Sequence, residues 1–233
     1  MIDIHTHILP LVDDGSDSVE ATLSMLKVAV EQGITDVVCT PHFRHAHTCT
    51  PEEIRDVFAK TKELVEKENL PIKLYLGQEI YLRNDDTRGV RERLANGSVL
   101  TMNDTKYVLV EFDFNKECDI ADAVYELVAV GYQPIVAHVE RYRYLVLDDV
   151  MDIKASGGLI QINADSIVGK SKRVFAKRIK ELFKNDLVDF VASDVHSDRE
   201  NCFLESKAFI IKKFGAEVAE AVFKTNAEKI LKG

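Results

Sequence analysis

The sequence predicts a single-domain α/β fold whose parallel strands curl into a barrel. Three observations carry that expectation. Short runs rich in Val and Ile alternate along the chain with amphipathic stretches of helical period. Several helical stretches stop at a glycine just before the next run, at Gly33, Gly131 and Gly157-Gly158, where a left-handed C′ residue is expected. Ligand-type side chains recur at the end of nearly every strand, whereas an open doubly wound sheet would gather its site at one switch point. Repeated strand–helix alternation implies parallel strands joined by right-handed crossovers.

Taken in order, the strands are expected at 1–5, 35–40, 73–79, 107–112, 133–138, 159–163 and 188–193, each short, β-branched and bounded by polar residues or glycine. Helices fill the intervals near 18–32, 51–68, 85–95, 119–130, 146–156 and 171–185. Two more, near 203–213 and 216–231, close the chain. The helix near 51–68 opens with Thr50-Pro51-Glu52-Glu53, which reads as an N-cap, a first-turn proline and acidic residues facing the helix dipole. No composition break, linker or low-complexity tract interrupts the pattern, so residues 1–233 read as one domain.

A chain of 233 residues can bury a full core, and 46% hydrophobic with 30% charged residues suits a soluble globular protein. The net charge of −9 argues against nucleic acid or an anionic membrane as partner, since both favour basic surface. Carboxylates around bound cations would account for part of that charge. There is no apolar run of ~18 residues to insert in a bilayer. Met1-Ile2-Asp3-Ile4-His5 has neither the basic nor the apolar region of a signal peptide. Cys39, Cys49, Cys118 and Cys202 are scattered without C-x-x-C pairs, which is the pattern of reduced thiols in a cytoplasmic protein.

The strand ends carry, in order, His5 and His7, His42, Glu79, Glu111, His138, Asn163, and Asp194 with His196. Asp14 lies in the loop Val12-Asp13-Asp14-Gly15, and Asp3 precedes His5 by two. Imidazole nitrogen with carboxylate oxygen and no sulfur is the ligand set of Zn, Mn or Fe in hydrolytic sites. His5 and His7, spaced i, i+2, leave the same face of a strand and can chelate one ion. A lone histidine at a strand end is usually a hydrogen-bonded structural residue. Buried unpaired charge is costly, however, and so many strands ending this way at one barrel mouth point to a metal-dependent hydrolase.

Other signals are weaker. Cys49 and Arg55 have the Cys-x5-Arg spacing of cysteine-dependent phosphatases, but the intervening loop holds a proline and two carboxylates that would oppose a phosphate dianion. The segment from Ala164 to Gly169-Lys170-Ser171 lacks the first glycine of a P-loop and carries Ile167-Val168 instead. His45 and His47 lie in a polar loop and read as rim residues.

With these residues assembled, the chain resembles the PHP (polymerase and histidinol phosphatase) superfamily and, within it, the CpsB/CapC-type bacterial protein-tyrosine phosphatases. The resemblance runs through Asp3-Ile4-His5-Thr6-His7, Thr40-Pro41-His42, Gly77-Gln78-Glu79, Val110-Glu111-Phe112, Gln161-Ile162-Asn163 and Ala192-Ser193-Asp194-Val195-His196. Asp13-Asp14-Gly15 and His138-Val139-Glu140-Arg141-Tyr142 point to the phosphatase branch. It implies a distorted, TIM-like (β/α)7 barrel and a cluster of three divalent metal ions, Mn or else Fe or Zn.

Carried over, one ion would take His5, His7, Glu79 and Asp194; a second would share Glu79 and add Glu111 and His138; a third would take Asp14, His42 and His196. Arg141 matches an arginine that grips phosphate, and Arg199, in the shortened loop Ser197-Asp198-Arg199-Glu200, stands where a second is expected. Asp194 and His196 are also the residues placed to assist the chemistry. The basic first helix that drives some relatives into a ring is absent from Ser18-Val19-Glu20-Ala21-Thr22, so that assembly is not expected.

The implied activity is that of a cytoplasmic phosphoric monoester hydrolase, a protein-tyrosine phosphatase. Its partner would be the phosphotyrosine tail of a bacterial tyrosine autokinase, with regulation of capsule or exopolysaccharide synthesis as the outcome. A tyrosine leaves as a phenoxide of pKa ~10, which needs less protonation than a serine alkoxide. The competing readings are a small-molecule phosphatase such as histidinol-phosphatase and a catalytically silent PHP module.

Overall fold

The structure is a computed structural model and describes residues 1–44, 49–83, 86–171 and 176–232. Its frame is β1 (Ile2–Thr6), α1 (Val19–Glu31), β2 (Asp36–Cys39), β3 (His42–Phe43), α2 (Pro51–Lys67), β4 (Lys73–Leu76), β5 (Glu79–Tyr81) and α3 (Thr87–Asn96). There follow β6 (Tyr107–Glu111), α4 (Ile120–Ala129), β7 (Gln133–Val136), α5 (Leu147–Ala155), β8 (Leu159–Asn163), α6 (Ala164–Ile167), α7 (Ala176–Lys184) and β9 (Phe190–Ala192). Short 3-10 turns at Met102–Asp104 and Val139–Arg141 interrupt this run, and α8 (Phe203–Phe214), α9 (Ala216–Glu220) and α10 (Glu228–Lys232) end it.

Every strand pair is parallel, in the orders β1-β2-β4 and β3-β5-β6-β7-β8-β9. The two groups form one curled sheet, because β2 runs on into β3 and β4 into β5. Backbone bonds continue across both breaks, from Gly77 N–H to the Cys39 carbonyl (2.8 Å) and from Glu79 N–H to that of Pro41 (3.1 Å). The curl returns to its start where His7 N–H donates to the Val195 carbonyl (3.0 Å) and Asp194 N–H to that of His5 (2.9 Å). This is the distorted parallel barrel expected from the ligand-bearing strand ends and from the family resemblance.

The expected strand 73–79 is therefore two strands with a kink at Gly77-Gln78. A Cβ at Gly77 would stand 2.7 Å from Met102 Sδ, so the chain bends where only glycine lets it lie against the 3-10 turn. The expected helix 216–231 is likewise broken, by a π-helical stretch at Ala221–Thr225. The segment 164–171 begins as the short helix α6 rather than a phosphate loop. His45 and His47 lie outside the described residues.

Local chemistry explains the helix starts. Ser18 Oγ accepts from Ala21 N–H (3.1 Å) at the head of α1, which buries Thr22, Leu26 and Ala29 on one stripe. Thr50 and Glu53 form a capping box on α2, with Glu53 Oε2 accepting from Thr50 N–H (2.8 Å) and Thr50 Oγ1 from Glu53 N–H (3.3 Å). No helix among the described residues is long and apolar enough to cross a membrane.

Candidate metal centre

The barrel gathers all nine expected ligands at one end. β1 delivers His5, with His7 just past its end, β3 His42, β5 Glu79 and β6 Glu111; His138 follows β7, and Asp194 and His196 follow β9. All of these are buried, and only Asp14, on the loop after β1, is exposed. His138 (φ 35°) and Asp194 (φ 49°) both adopt the left-handed conformation rare for side chains other than glycine, a strain that over-determined functional sites tolerate. Gly15 brings the Asp13-Asp14 loop onto β1, since a Cβ there would lie 2.1 Å from the His7 carbonyl oxygen.

The pairing of His5 with His7 is the clearest chemical statement in the site. Gln161 Oε1 accepts from His138 N–H (2.9 Å), which fixes the amide so that the same oxygen faces His5 Nδ1 (3.2 Å). His7 Nδ1 lies 2.7 Å from Asp13 Oδ2, a carboxylate that also accepts from His42 N–H (2.9 Å). In their neutral, ligating form both imidazoles therefore carry the proton on Nδ1 and present a bare Nε2. Those two lone pairs face each other at 3.1 Å. Glu79 stands 3.3 Å from His5 Nε2, and Asp194 Oδ1 stands 3.4 Å from His7 Nε2. Lone pairs and carboxylates converging on one point repel unless a cation lies between them, and carboxylate-anchored imidazole is the usual outer support of a metal ligand.

Glu79 is the hub. Its Oε2 is 2.7 Å from His42 Nδ1 and its Oε1 3.0 Å from His138 Nε2. Glu111 Oε1 stands 3.7 Å from the same His138 nitrogen and Glu111 Oε2 3.8 Å from His42 Nδ1. Asp14 Oδ1 lies 3.4 Å from His42 Nε2 and 3.6 Å from His196 Nε2. Three overlapping donor sets result: His5-His7-Glu79, His42-Glu79-Glu111, and His7-Asp14-His42-His196. His42 thus faces Glu79 and Glu111 as well as Asp14, and His7 borders two sets. His42 Nδ1 and Glu79 Oε2 approach each other closely without the alignment of a hydrogen bond, and neither they nor the buried Glu111 Oε2 and His138 Nδ1 make one among the described residues. A donor set of this kind fits divalent metal ions.

The electrostatics show a centre that demands positive charge. In the metal-free protein, burial is outweighed by Glu79 and Asp194, which raise His5, and by the hydrogen bond with Asp13, which raises His7 well above its ordinary value. Burial holds His138 and His196 down to about 4, so both are neutral and able to ligate at physiological pH. Burial pushes Glu111 up to about 8, helped by the neighbouring charge of Glu79. Burial also opposes ionisation of Glu79 and Asp194, but the surrounding imidazoles, His5 foremost, overcome it and hold both carboxylates well below their ordinary range. Asp13 behaves similarly: burial raises it, and the hydrogen bond with His7 more than reverses that.

The two expected arginines meet on one carboxylate. Arg141 Nη1 donates to Asp194 Oδ2 at 3.0 Å and Arg199 Nη1 to the same oxygen at 2.7 Å, with Asn163 Nδ2 adding a third bond at 2.9 Å. Asp194 thereby keeps Oδ1 for the histidines. The structure adds residues that composition and spacing did not single out for the site. Asp13 and Gln161 set the histidine tautomers. Arg44, two residues beyond His42, places Nη2 2.8 Å from His42 Nε2 and 3.5 Å from Glu111 Oε2. Phe114 lies beneath Arg141, 4.4 Å from the guanidinium carbon to the ring centroid. The i, i+2 spacing of His42 and Arg44 was the one available signal for Arg44.

The cysteine alternative finds no support in the geometry. Cys49 Sγ faces the Val12 carbonyl at 3.7 Å, burial raises its pKa, and Arg55 pairs with Asp104 (2.9 Å).

A family model described as capsular polysaccharide synthesis, CpsB/CapC, matches residues 1–232. The tyrosine-protein phosphatase CpsB of Streptococcus agalactiae is 36% identical over 244 residues, covering 100% of this chain and 98% of that protein. A solved structure from work on the metal-dependent tyrosine phosphatases YwqE of Bacillus subtilis and CpsB of Streptococcus pneumoniae superposes with a TM-score of 0.90. It is 32% identical and covers 100% of this chain and 94% of its own. Histidinol phosphate phosphatase of Lactococcus lactis shares the fold alone, at TM-score 0.59 and 11% identity over 91% of this chain and 94% of its own. Matched by the family model almost end to end, and by relatives of this similarity over its whole length, the chain belongs to the CpsB/CapC family.

Proposed function

We propose that this protein is a metal-dependent protein-tyrosine phosphatase of the cytoplasm. Its substrate would be the phosphotyrosine tail of a bacterial tyrosine autokinase, and its action would regulate capsule or exopolysaccharide synthesis. The observation that carries the reading is the facing pair of bare Nε2 atoms on His5 and His7, 3.1 Å apart, ringed by Glu79 and Asp194 with two arginines on Asp194. Loaded with divalent cations and flanked by the two arginines, such a site would concentrate positive charge where a phosphate dianion must sit.

Three ions, of Mn or else Fe or Zn, would be held by His5, His7, Glu79 and Asp194; by Glu79, Glu111 and His138; and by Asp14, His42 and His196. Bound there, they supply Lewis-acid charge and lower the pKa of water toward neutrality. Arg141 and Arg199 meet at Asp194 Oδ2, and their remaining N–H groups would bind non-bridging phosphate oxygens. His196 Nδ1 lies 3.0 Å from the Asp194 carbonyl oxygen and so carries the ring proton, which leaves Nε2 bare. Asp194 Oδ2 is filled by three donors. Both residues would therefore act as ligands rather than as acids, with Asp194 also a fixed negative charge, which suits a phenoxide that needs less protonation than an alkoxide. Phosphoryl transfer passes through a loose transition state, so positioning and charge neutralisation by these residues supply the acceleration.

The deciding experiment compares turnover of a phosphotyrosine peptide and of histidinol phosphate by Mn-reconstituted protein, with a chelator control and beside Cys49→Ser. The peptide should be preferred, activity should vanish with chelator, and Cys49→Ser should be as active as the parent. Chelator-resistant turnover, or preference for histidinol phosphate, would overturn the proposal.

A further inference from the structure

Beside the metal centre lies a cavity of about 460 Å³ whose aromatic wall is Tyr81 and Phe114, with Glu111, Arg44 and Arg83 also lining it, while the adjoining Phe112 is buried in the core. We propose that this cavity is the subsite that receives the aromatic ring of an aryl phosphate ester. The inference rests on the phosphatase reading above and names the residues that would select its substrate class.

Glu111 belongs both to the donor set around Glu79 and to the cavity wall, so the cavity adjoins the metal centre directly. An ester whose phosphoryl group sits at the centre can place its leaving group here. The volume lies within the ~300–1,000 Å³ usual for small-ligand sites. A phenyl ring would cover the aromatic wall, whereas the short carbon chain of a serine phosphate would leave most of it in contact with water.

The wall is also rigid. Tyr81 Oη donates to Asp113 Oδ2 at 3.2 Å, while Asp113 Oδ1 accepts from the backbone N–H groups of Asn115 (2.8 Å) and Lys116 (2.9 Å). Phe114 stacks on Tyr142, with ring centroids 5.5 Å apart and planes 23° from parallel. Tyr142 Oη in turn accepts from Phe112 N–H at 2.9 Å. A preformed aromatic surface of this kind binds a ring without first paying to order itself. Phe114 also lies under Arg141, so one side chain links the aryl wall to a phosphate-facing cation.

Other cavities lack this combination. One is lined by Glu117, Asp119, Asp149 and Asp152, a set of carboxylates that would repel a phosphate ester. Another, along Arg88, Arg91, Glu92 and Glu126, includes no residue of the metal centre.

The test uses the Mn-reconstituted protein and two non-hydrolysable probes, phenylphosphonate and methylphosphonate, titrated by calorimetry. The parent should bind the phenyl compound about tenfold more tightly. Tyr81→Leu and Phe114→Leu, each verified to retain full metal, should lose most of that ratio, and Tyr81→Phe should keep it. A ratio near one in the parent would overturn the proposal. So would a ratio unchanged in both leucine variants, including the case in which Phe114→Leu weakens both probes equally because it only positions Arg141. Turnover of a phosphotyrosine peptide by the same parent preparation reports separately on the phosphatase reading.

Discussion

The two ends of the same strands make the most instructive contrast in this molecule. Toward their starts, Ile2 and Ile4 of β1, Leu109 of β6, Ile135 of β7 and Phe190 of β9 pack into one apolar cluster with Met102, Ala227 and Ile230. A few residues further along, the same strands end in His5 and His7, Glu111, His138 and Asp194. Burial does not separate the two regions, since Ile135 and Glu79 are both 0% exposed. Their chemistry does. An apolar side chain is satisfied by contact alone and stabilises the fold in proportion to the area it hides. A buried carboxylate or imidazole must find a partner, and at the ligand end several atoms find none among the described residues. One end holds the barrel together; the other is tolerated because the first does so.

That contrast can be broken by mutation. The largest effect is expected at Glu79, which contacts His5, His7, His42 and His138. Glu79→Gln should lower phosphatase activity on the order of a thousandfold and deplete metal, read by elemental analysis, while circular dichroism shows the fold retained. Unfolding of that variant would mean that the polar end is structural after all. At the other end, Ile135→Ala should cost about 2–5 kcal/mol in denaturant unfolding, with metal content per folded molecule unchanged. Asp13→Asn, which removes the charge behind His7 without removing a ligand, should weaken metal binding about 10- to 100-fold at near-normal stability. Normal affinity in that variant would show that the tautomer of His7 needs no anion to set it.

The smallest effect is in pH. Glu111 is raised to about 8 in the metal-free protein and must be ionised to ligate, so below that pH metal uptake there displaces one proton. Affinity should therefore rise at least tenfold per pH unit up to about pH 8, as titrations at several pH values would reveal. The rise should be steeper where His5 and His7, which their neighbouring carboxylates raise against the opposing effect of burial, release protons as well. His138 and His196, held down to about 4, should add no further proton in that window.

Much of this was legible in the amino-acid order. Ligands at successive strand ends were visible because a parallel strand has one carboxyl end and a barrel brings all of those ends together. The decoys were legible for local reasons too: Thr50-Pro51-Glu52-Glu53 describes a helix start whatever surrounds it. Less could be read where a residue's role depends on distant parts of the chain. The kink at Gly77 exists because Met102 lies across it. Asp13 and Asp14 are adjacent and alike, yet one anchors His7 Nδ1 and the other faces His42 and His196. Arg44 joins the site by reaching Glu111 of another strand as well as its neighbour His42, and Phe114 by lying under the distant Arg141.

The sequence by itself determined the fold class, the ligand types and the strand ends that carry them, because periodicity, turn chemistry and donor atoms are properties of neighbouring residues. Only the tertiary structure decided which nitrogen of each histidine faces the centre and where the aromatic wall stands. Those depend on hydrogen bonds and contacts between residues far apart in the chain, from His5 with Gln161 to Arg199 and Arg141 on a single carboxylate.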